Sequence, residues 1–348
     1  MKANVMRMPT WRYLKLNSVE LEEKQFEKKD YKYIESSKEQ SDYVKDLFSN
    51  KDYGLSKDKL EEVEKFSNVN IYKEVKEDKD TEIFYYDTDK DNSEIFSTID
   101  INAKENTSSS YMLSFNSKDD YKAYVNSLVR INLEKNSKVK LLIITNLSKE
   151  SENNQQISSI IGENASLELS YIELGAANSF VNYKNFLEGK KSKLDFDGVY
   201  FKENEDYMDM LVTNEHQGED SSSNTIFNGA LKDSANKAWK GVVDLKRGCK
   251  RADGKIGDYA MLLSDDVVNK TTPILLCEED KVKGNHAASV GRLNREMLYY
   301  IMSRGLSKKQ AESMILEASF TPTLDKIEDE SLKDELKKKV HSMNNRGL

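Results

Sequence analysis

Residues 140–174 read KLLIITNLSKESENNQQISSIIGENASLELSYIEL. Three short runs rich in aliphatic and β-branched residues, KLLIITNL (140–147), ISSIIG (157–162) and SLELSYIEL (166–174), are divided by polar turns. In the third, Leu167, Leu169 and Tyr171 alternate with polar neighbours, the two-residue period of a strand with one buried face. The texture continues as SFVNYKNF (179–186), KLDFDGVYF (193–201), DYMDMLVTNEH (206–216) and SNTIFNGAL (223–231). KAWKGVVDL (237–245), DYAMLLSD (258–265) and PILLCEED (273–280) complete the series. No long helix interrupts these runs, which argues against a βαβ sheet. A sandwich, a jelly roll or a β-solenoid remains. Asn, Gly and Asp turns at near-constant spacing suit a solenoid, in which each rung buries its inner face on its neighbours.

On either side the pattern changes. Residues 1–75 are polar and read as a helical region. VELEEKQFEKKDYKYIE (19–35) suits a solvated helix or a loose arm. Ser56 is an N-cap for a helix over 57–67, where Leu60, Val63 and Phe66 recur at helical spacing. Weak alternation at Ile83, Tyr85, Ile95 and Ile99 suggests edge strands around the turn DTDKDNSE, and DDYKAYVNSLVRINL (119–133) reads as a short helix. The β core is thus assigned to 76–290 and a C-terminal helical domain to 291–348. There, Asn294 caps a helix striped by Met297, Leu298, Ile301 and Met302, and Gly305 stands just past its end. Ser307 and Gln310 fit a capping box. The next helix carries Ala311, Met314, Ile315 and Ala318 and is expected to end at Pro322; a third presents Leu332, Leu336 and Val340.

The chain has 348 residues, 33% of them charged, with a net charge of -8. Its pI is about 5.3 and its mean hydropathy -0.74. This balance argues against nucleic acid as the main partner. No apolar run approaches membrane-spanning length, so no membrane partner is expected. The N-terminus, MKANVMRMPTWRYLKLN, has no apolar leader core and is read as mature and cytoplasmic. Two cysteines, Cys249 and Cys277, make no disulfide framework and cannot alone ligate a four-cysteine iron–sulfur cluster. P-loop, GxGxxG, CxxC, HExxH and GxSxG patterns are all missing, which argues against ATP hydrolysis or dinucleotide binding by this chain.

The stretch Asn285 to Glu312, NHAASVGRLNREMLYYIMSRGLSKKQAE, joins a histidine in a small-residue turn to an aromatic amphipathic helix, a Ser-Arg-Gly stop and a second capped helix. That order of parts resembles the C-terminal signature of the SufB/SufD family, scaffold subunits of an iron–sulfur cluster assembly machine. The resemblance extends back to about Asn214 through NEHQGEDSSSNTIFNGALKDSANKAWKGVVDLKRGCKRADG and KIGDYAMLLSDDVVNKTTPILLCEEDKVKGNHAASVG. PTWRYLKLN (9–17) resembles the opening of some SufD-type subunits; residues 18–210 match mainly in architecture. The resemblance implies a right-handed parallel β-helix flanked by N-terminal and C-terminal helical segments. It also implies that His286 is a possible iron ligand where a transient cluster forms at a subunit interface. Its partners would be a SufB-type subunit and the SufC ABC-type ATPase, the latter docked by the C-terminal helices. Two departures favour a SufD-like role: the key cysteine of SufB-type subunits maps near Val267, and Ala287 replaces an acidic residue.

The remaining candidates each have a plainer reading. Imidazole is a good iron donor, and Ala287, Ala288 and Ser289 leave His286 accessible, although a structural histidine is the alternative. Cys277 is a substitute ligand or, as a buried strand cysteine, an inert small hydrophobe. Arg247, Lys250 and Arg251 would lower the pKa of Cys249; otherwise it is an exposed turn cysteine. His216 is read as a surface or rung-capping residue and His341 as solvated. Asp265, Asp266, Glu278, Glu279 and Asp280 are paired carboxylates of acid–base type or acidic corners. One rival is a homodimeric scaffold using Cys277 and His286 from both chains. The other is a carbohydrate-active solenoid enzyme, against which the lack of a repeated carboxylate pattern counts.

Overall fold

The computed structural model describes residues 1–7, 12–37, 42–293 and 295–343. A short antiparallel pair, β1 (Lys2–Ala3) and β2 (Val19–Glu20), precedes helices α1 (Asp42–Phe48) and α2 (Lys57–Phe66). Sixteen strands follow: β3 (Val69–Val75), β4 (Thr81–Thr88), β5 (Glu94–Ala103), β6 (Ser108–Ser117), β7 (Tyr124–Leu133), β8 (Lys138–Asn146), β9 (Glu152–Ile161), β10 (Ser166–Glu173), β11 (Asn178–Leu187), β12 (Lys193–Lys202), β13 (Tyr207–His216), β14 (Ser222–Leu231), β15 (Asn236–Leu245), β16 (Asp253–Leu262), β17 (Val268–Cys277) and β18 (Lys283–Gly291). Helices α3 (Arg295–Ser303), α4 (Lys308–Leu324) and α5 (Glu330–Met343) close the chain.

Odd strands β3 to β17 form one eight-stranded sheet and even strands β4 to β18 the other. Every pairing inside these two sheets is parallel, so the chain winds through both sheets once per turn and makes a parallel β-solenoid of eight turns. Rung length runs from 26 residues, Glu152 against Asn178, to 32, Asn236 against Val268. One corner repeats through six rungs. Asn106, Asn136, Asn164, Lys191, Asp220 and Arg251 all take left-handed backbone with φ between 53° and 63°. Asn and Asp adopt that conformation most readily after Gly, which explains the polar spacing of the turns. Each of these residues donates its N–H to a carbonyl of the next rung, as in Asn136 to Glu163, so the corners are laddered like the strands.

Ten of the strands, β8 to β17, correspond to the ten sequence runs. The segment expected as a helix over 119–133 is instead strand β7, with all ten residues buried. Leu128 packs against Val63 of α2 on its outer side, Val129 faces the core, and Arg130 forks onto Asp100 at 2.7 and 2.9 Å. Burial on both faces erases the two-residue period. Among the described residues the N-terminal region holds two short α-helices and one 3-10 turn (Arg12–Leu14), and the solenoid already begins at Val69. Residues 21–37 are an extended arm rather than a helix, and a fixed one: Phe26 packs on Phe66, Phe96 and Tyr124. Ser56 caps α2 by accepting from the N–H of Lys59. Pro9 and Trp11 of the N-terminal resemblance, and the expected cap Asn294, lie outside the described residues.

Helices α4 and α5 fold back on the outer face of the even sheet. Leu316, Phe320, Leu324, Leu332, Leu336 and Val340 bury against Ile144, Ile172, Val199 and Phe201. Of the expected stripe of α4, Ala311 is buried but Met314 and Ala318 are exposed; the stripe runs instead through Leu316, Phe320 and Leu324. Pro322 does not end α4, which runs to Leu324; within its last turn a proline removes one hydrogen bond without blocking packing. The Ser307–Gln310 capping box and the left-handed Gly305 (φ 95°) are both present. No helix among the described residues is long and apolar enough to cross a membrane.

Candidate functional site

The two ends of the solenoid differ. At the first rung, the arm covers the strand edge: Ser37 N–H donates to the Asn70 carbonyl, and the Ser36 and Ser37 hydroxyls accept from the N–H groups of Asn70 and Tyr72. Tyr31, Tyr33 and Ile34 pack over the core there. At the last rung, β17 and β18 are edge strands; β18 is almost wholly exposed, and β17 is mostly half-buried with its two end residues, Val268 and Cys277, exposed. Pro273 suits such an edge, since it lacks an N–H to donate.

His286 lies on this rung, in strand β18 and not in a turn as expected. Its register continues an inward-facing column through Tyr111, Leu141, Leu169, Phe196, Thr225 and Ile256, all buried. His286 is exposed, and among the described residues no further rung covers it. Cys277 continues a second inward column through Ala103, Leu133, Ile161, Leu187, His216 and Leu245. It too is exposed, in contrast to the buried strand cysteine expected, and its thiol donates to the Glu279 carbonyl at 3.2 Å. Both side chains thus occupy lumen positions on an uncovered rung. Imidazole nitrogen and thiolate are good iron donors, but two donors do not complete a cluster's coordination. Among the described residues, no three His, Cys, Asp or Glu side chains converge to hold a metal ion.

One rung below lies a buried polar group that the sequence reading missed. Lys237 and Asp258, both fully buried, form an ion pair. Tyr200 donates to Asp258 at 2.8 Å, Lys237 to the Tyr200 hydroxyl at 2.7 Å and Thr271 to Asp258 at 2.6 Å. Burial lowers the Lys237 pKa, against the pull of Asp258. Deeper in the lumen, Lys202 donates to Glu173 at 3.0 Å and to the Ala176 carbonyl at 3.0 Å. A signal was available: in KAWKGVVDL the apolar alternation Trp239, Val243, Leu245 includes Lys237 on its buried face.

The other candidates separate from this site. Cys249 is buried, not exposed, and its pKa is raised to about 11, first by burial and then by Glu279. It stands two residues before the left-handed Arg251, where preceding corners carry Gly162, Gly189 and Gly218, and it points into the core. Arg251 is spent on Asp220 and Glu219, so the expected lowering of the thiol pKa does not occur. His216 is likewise buried, with ring nitrogens 2.8 Å from the Ser221 and Ser223 hydroxyls. Its pKa falls to about 4 through burial. His341 is largely exposed and contacts Glu317 at 2.7 Å. Asp265 pairs with Arg292, Glu278 with Lys246 and Glu279 with the Gly248 N–H, an arrangement of acidic corners rather than an acid–base pair.

The family model described as SUF system FeS cluster assembly, SufBD core domain, matches residues 85–319, from β4 into α4. The chain belongs to this family. Iron-sulfur cluster assembly protein SufD of Bacillus subtilis is 26% identical over 209 residues, covering 51% of this chain and 47% of that protein. An iron-sulfur cluster assembly SufBD family protein of Pyrococcus horikoshii is 27% identical over 195 residues, 56% of this chain and 43% of its own length. SufD of Escherichia coli is 25% identical over 163 residues, 47% of this chain and 38% of that protein. The chain spans about half the length of these relatives or less.

Proposed function

We propose that this SufBD-family chain is a SufD-like scaffold subunit, not an enzyme by itself, and works in the cytoplasm. Its open end pairs with a SufB-type subunit, and an iron–sulfur cluster is assembled as cargo at that interface. The exposed faces of the C-terminal helices dock the SufC ATPase, whose closure on ATP changes the interface. One observation carries this reading. The first rung is capped by the chain's own arm, while the last leaves two strand edges and two lumen-register iron donors, His286 and Cys277, uncovered. Uncapped edges are templates for another chain. Exposed Met297, Tyr299, Tyr300 and Met302 on α3 adjoin this end in sequence and supply apolar surface.

The same exposure supports a second reading, a homodimer whose two copies give Cys277 and His286 twice and hold the cluster directly. Co-expression with a SufB-type subunit and a SufC-type ATPase, followed by light scattering and anaerobic iron–sulfide reconstitution, separates the two. A hetero-complex with a chromophore only when the partner is present fits the SufD-like role. A self-dimer that takes up iron alone transfers the assignment to the homodimer. Neither complex nor chromophore sinks both.

A further inference from the structure

On the outer face of the odd sheet, away from the lumen, the N-terminal segment and the loop before α2 arch over β11, β13, β15 and β17. They enclose a cavity of about 530 Å³. That volume falls in the range of small-molecule sites. One wall is apolar: Met6, Leu211, Val242, Ile274 and Leu276. The rim carries Lys2, Arg7, Lys57 and Lys184 beside Asp52 and Asp244; Arg7 pairs with Asp244, Lys184 with Glu215 and Lys2 with Glu20, and Lys57 stands at the start of α2. Asp244 is 2% exposed. Its Oδ2 takes Arg7 at 3.0 Å and Lys246 at 2.8 Å, while its buried Oδ1 has no hydrogen-bond partner among the described residues. An orphaned carboxylate oxygen in a partly apolar cavity costs free energy unless a donor reaches it.

We propose that this cavity is a binding site for a small amphipathic anion, a flat apolar or aromatic body bearing one acidic group and one N–H or O–H donor. The apolar wall takes the body. Arg7, whose side chain is 67% exposed, and Lys57 take the acid. The donor satisfies Asp244. Ile274 and Leu276 belong to β17, the strand that ends in Cys277, so an occupied cavity braces the last rung from outside.

The probe is 8-anilinonaphthalene-1-sulfonate, which has an aromatic body, a sulfonate and an N–H. Fluorescence titration and calorimetry on the full chain are expected to give saturable one-to-one binding. Val242→Trp fills the cavity and is expected to abolish it. Lys57→Glu reverses a rim charge at the first position of α2, where a carboxylate is favourable for the helix, so the fold is retained. It is expected to weaken binding about five- to tenfold. Circular dichroism checks that both variants are folded. Binding that survives Val242→Trp in a folded protein, or that never saturates at one equivalent, overturns the site. Binding lost in Val242→Trp but indifferent to Lys57→Glu overturns the anionic class.

Discussion

Acidification tests the buried histidine directly. His216 is fully buried in the lumen, held neutral between Ser221 and Ser223, with its pKa lowered from 6.5 to about 4 by burial. Between those two values the unfolded chain binds a proton that the folded chain refuses, so stability rises with pH there and is lost on acidification. The slope is roughly 1.4 kcal/mol per pH unit, and the full loss across the window is about 3 kcal/mol. Asp206 works in the opposite sense, since burial raises its pKa to about 6 and its folded form takes up a proton first. A comparison with His216→Gln removes that background, because Asp206 is common to both proteins. At pH 7.5 the variant is expected to be about 1 kcal/mol less stable, through poorer geometry to the two serines. Urea unfolding at half-unit steps down to pH 4.5 should bring the two curves together near pH ~6 and then invert their order. A stability difference constant from pH 7.5 to 4.5 would show that His216 is charged or hydrated in the fold, and would refute the argument.

His286→Ala should leave thermal unfolding unchanged and lower the yield of cluster in the complex; an unchanged yield removes His286 from the mechanism. Lys202→Met strands Glu173 at full burial and is expected to cost about 3–5 kcal/mol in chemical denaturation, with much of it restored in Lys202→Met/Glu173→Gln. A loss below 1 kcal/mol would mean that Lys202 and Glu173 are not a buried ion pair in the fold. Gly218→Ala puts a methyl 1.9 Å from the Gly189 carbonyl oxygen and should cost several kcal/mol, whereas Gly291→Ala meets nothing within 4 Å and should stay within about 0.5 kcal/mol. Equal effects in denaturant melts would contradict the corner stacking. Native maleimide labelling at neutral pH should modify Cys277 and spare Cys249 until the chain unfolds; two thiols reacting alike would place Cys249 outside the core.

The solenoid was legible where strands have one dry and one wet face. SLELSYIEL alternates because Glu168 faces outward between the buried Leu167 and Leu169, and the corner asparagines mark the rungs. Legibility fails where a second layer covers the sheet. On β7, outward-facing Leu128 meets α2, so the strand carries apolar residues on both faces and mimics a helix. Cys249 and His216 were misjudged for a related reason: each sits among polar residues in sequence but at an inward position of the rung. The candidate site was half legible. The family resemblance picked out His286, and the residue types suggested Cys277. That both continue lumen columns on the same uncovered rung depends on register across rungs, which no single strand encodes.

The register also explains why one end of this molecule is left open. One column runs Leu113, Ile143, Tyr171, Gly198, Phe227, Asp258, Ala288; another ends His216, Leu245, Cys277. Toward the first rung these positions are aliphatic or aromatic; toward the last, polar or small residues (His216, Asp258, Cys277, Ala288) are interspersed with Phe227 and Leu245. Burying Lys237 and Asp258 one rung below the mouth is a poor way to gain stability, since desolvation of such a pair offsets its attraction. An apolar lumen would serve a solenoid that merely had to end, and the chain already carries the means of closing one, as Tyr31, Tyr33 and Ile34 do at the opposite end. Among the described residues the terminal rung instead keeps its outer edges unpaired, and its inward side mixes Thr271, Cys277 and His286 with Leu275 and Ala288. Stability is thus supplied by the hydrophobic core that runs from Val69 to Ile256 and by α4 and α5 behind the even sheet, which leaves the open end available for the proposed partner. On this argument, substitutions that make the last lumen layer more apolar, such as Ala288→Leu, should stabilise the isolated chain little and weaken its assembly. A variant that assembles better would mean that the end is a hydrophobic joint, and that its polar residues are incidental.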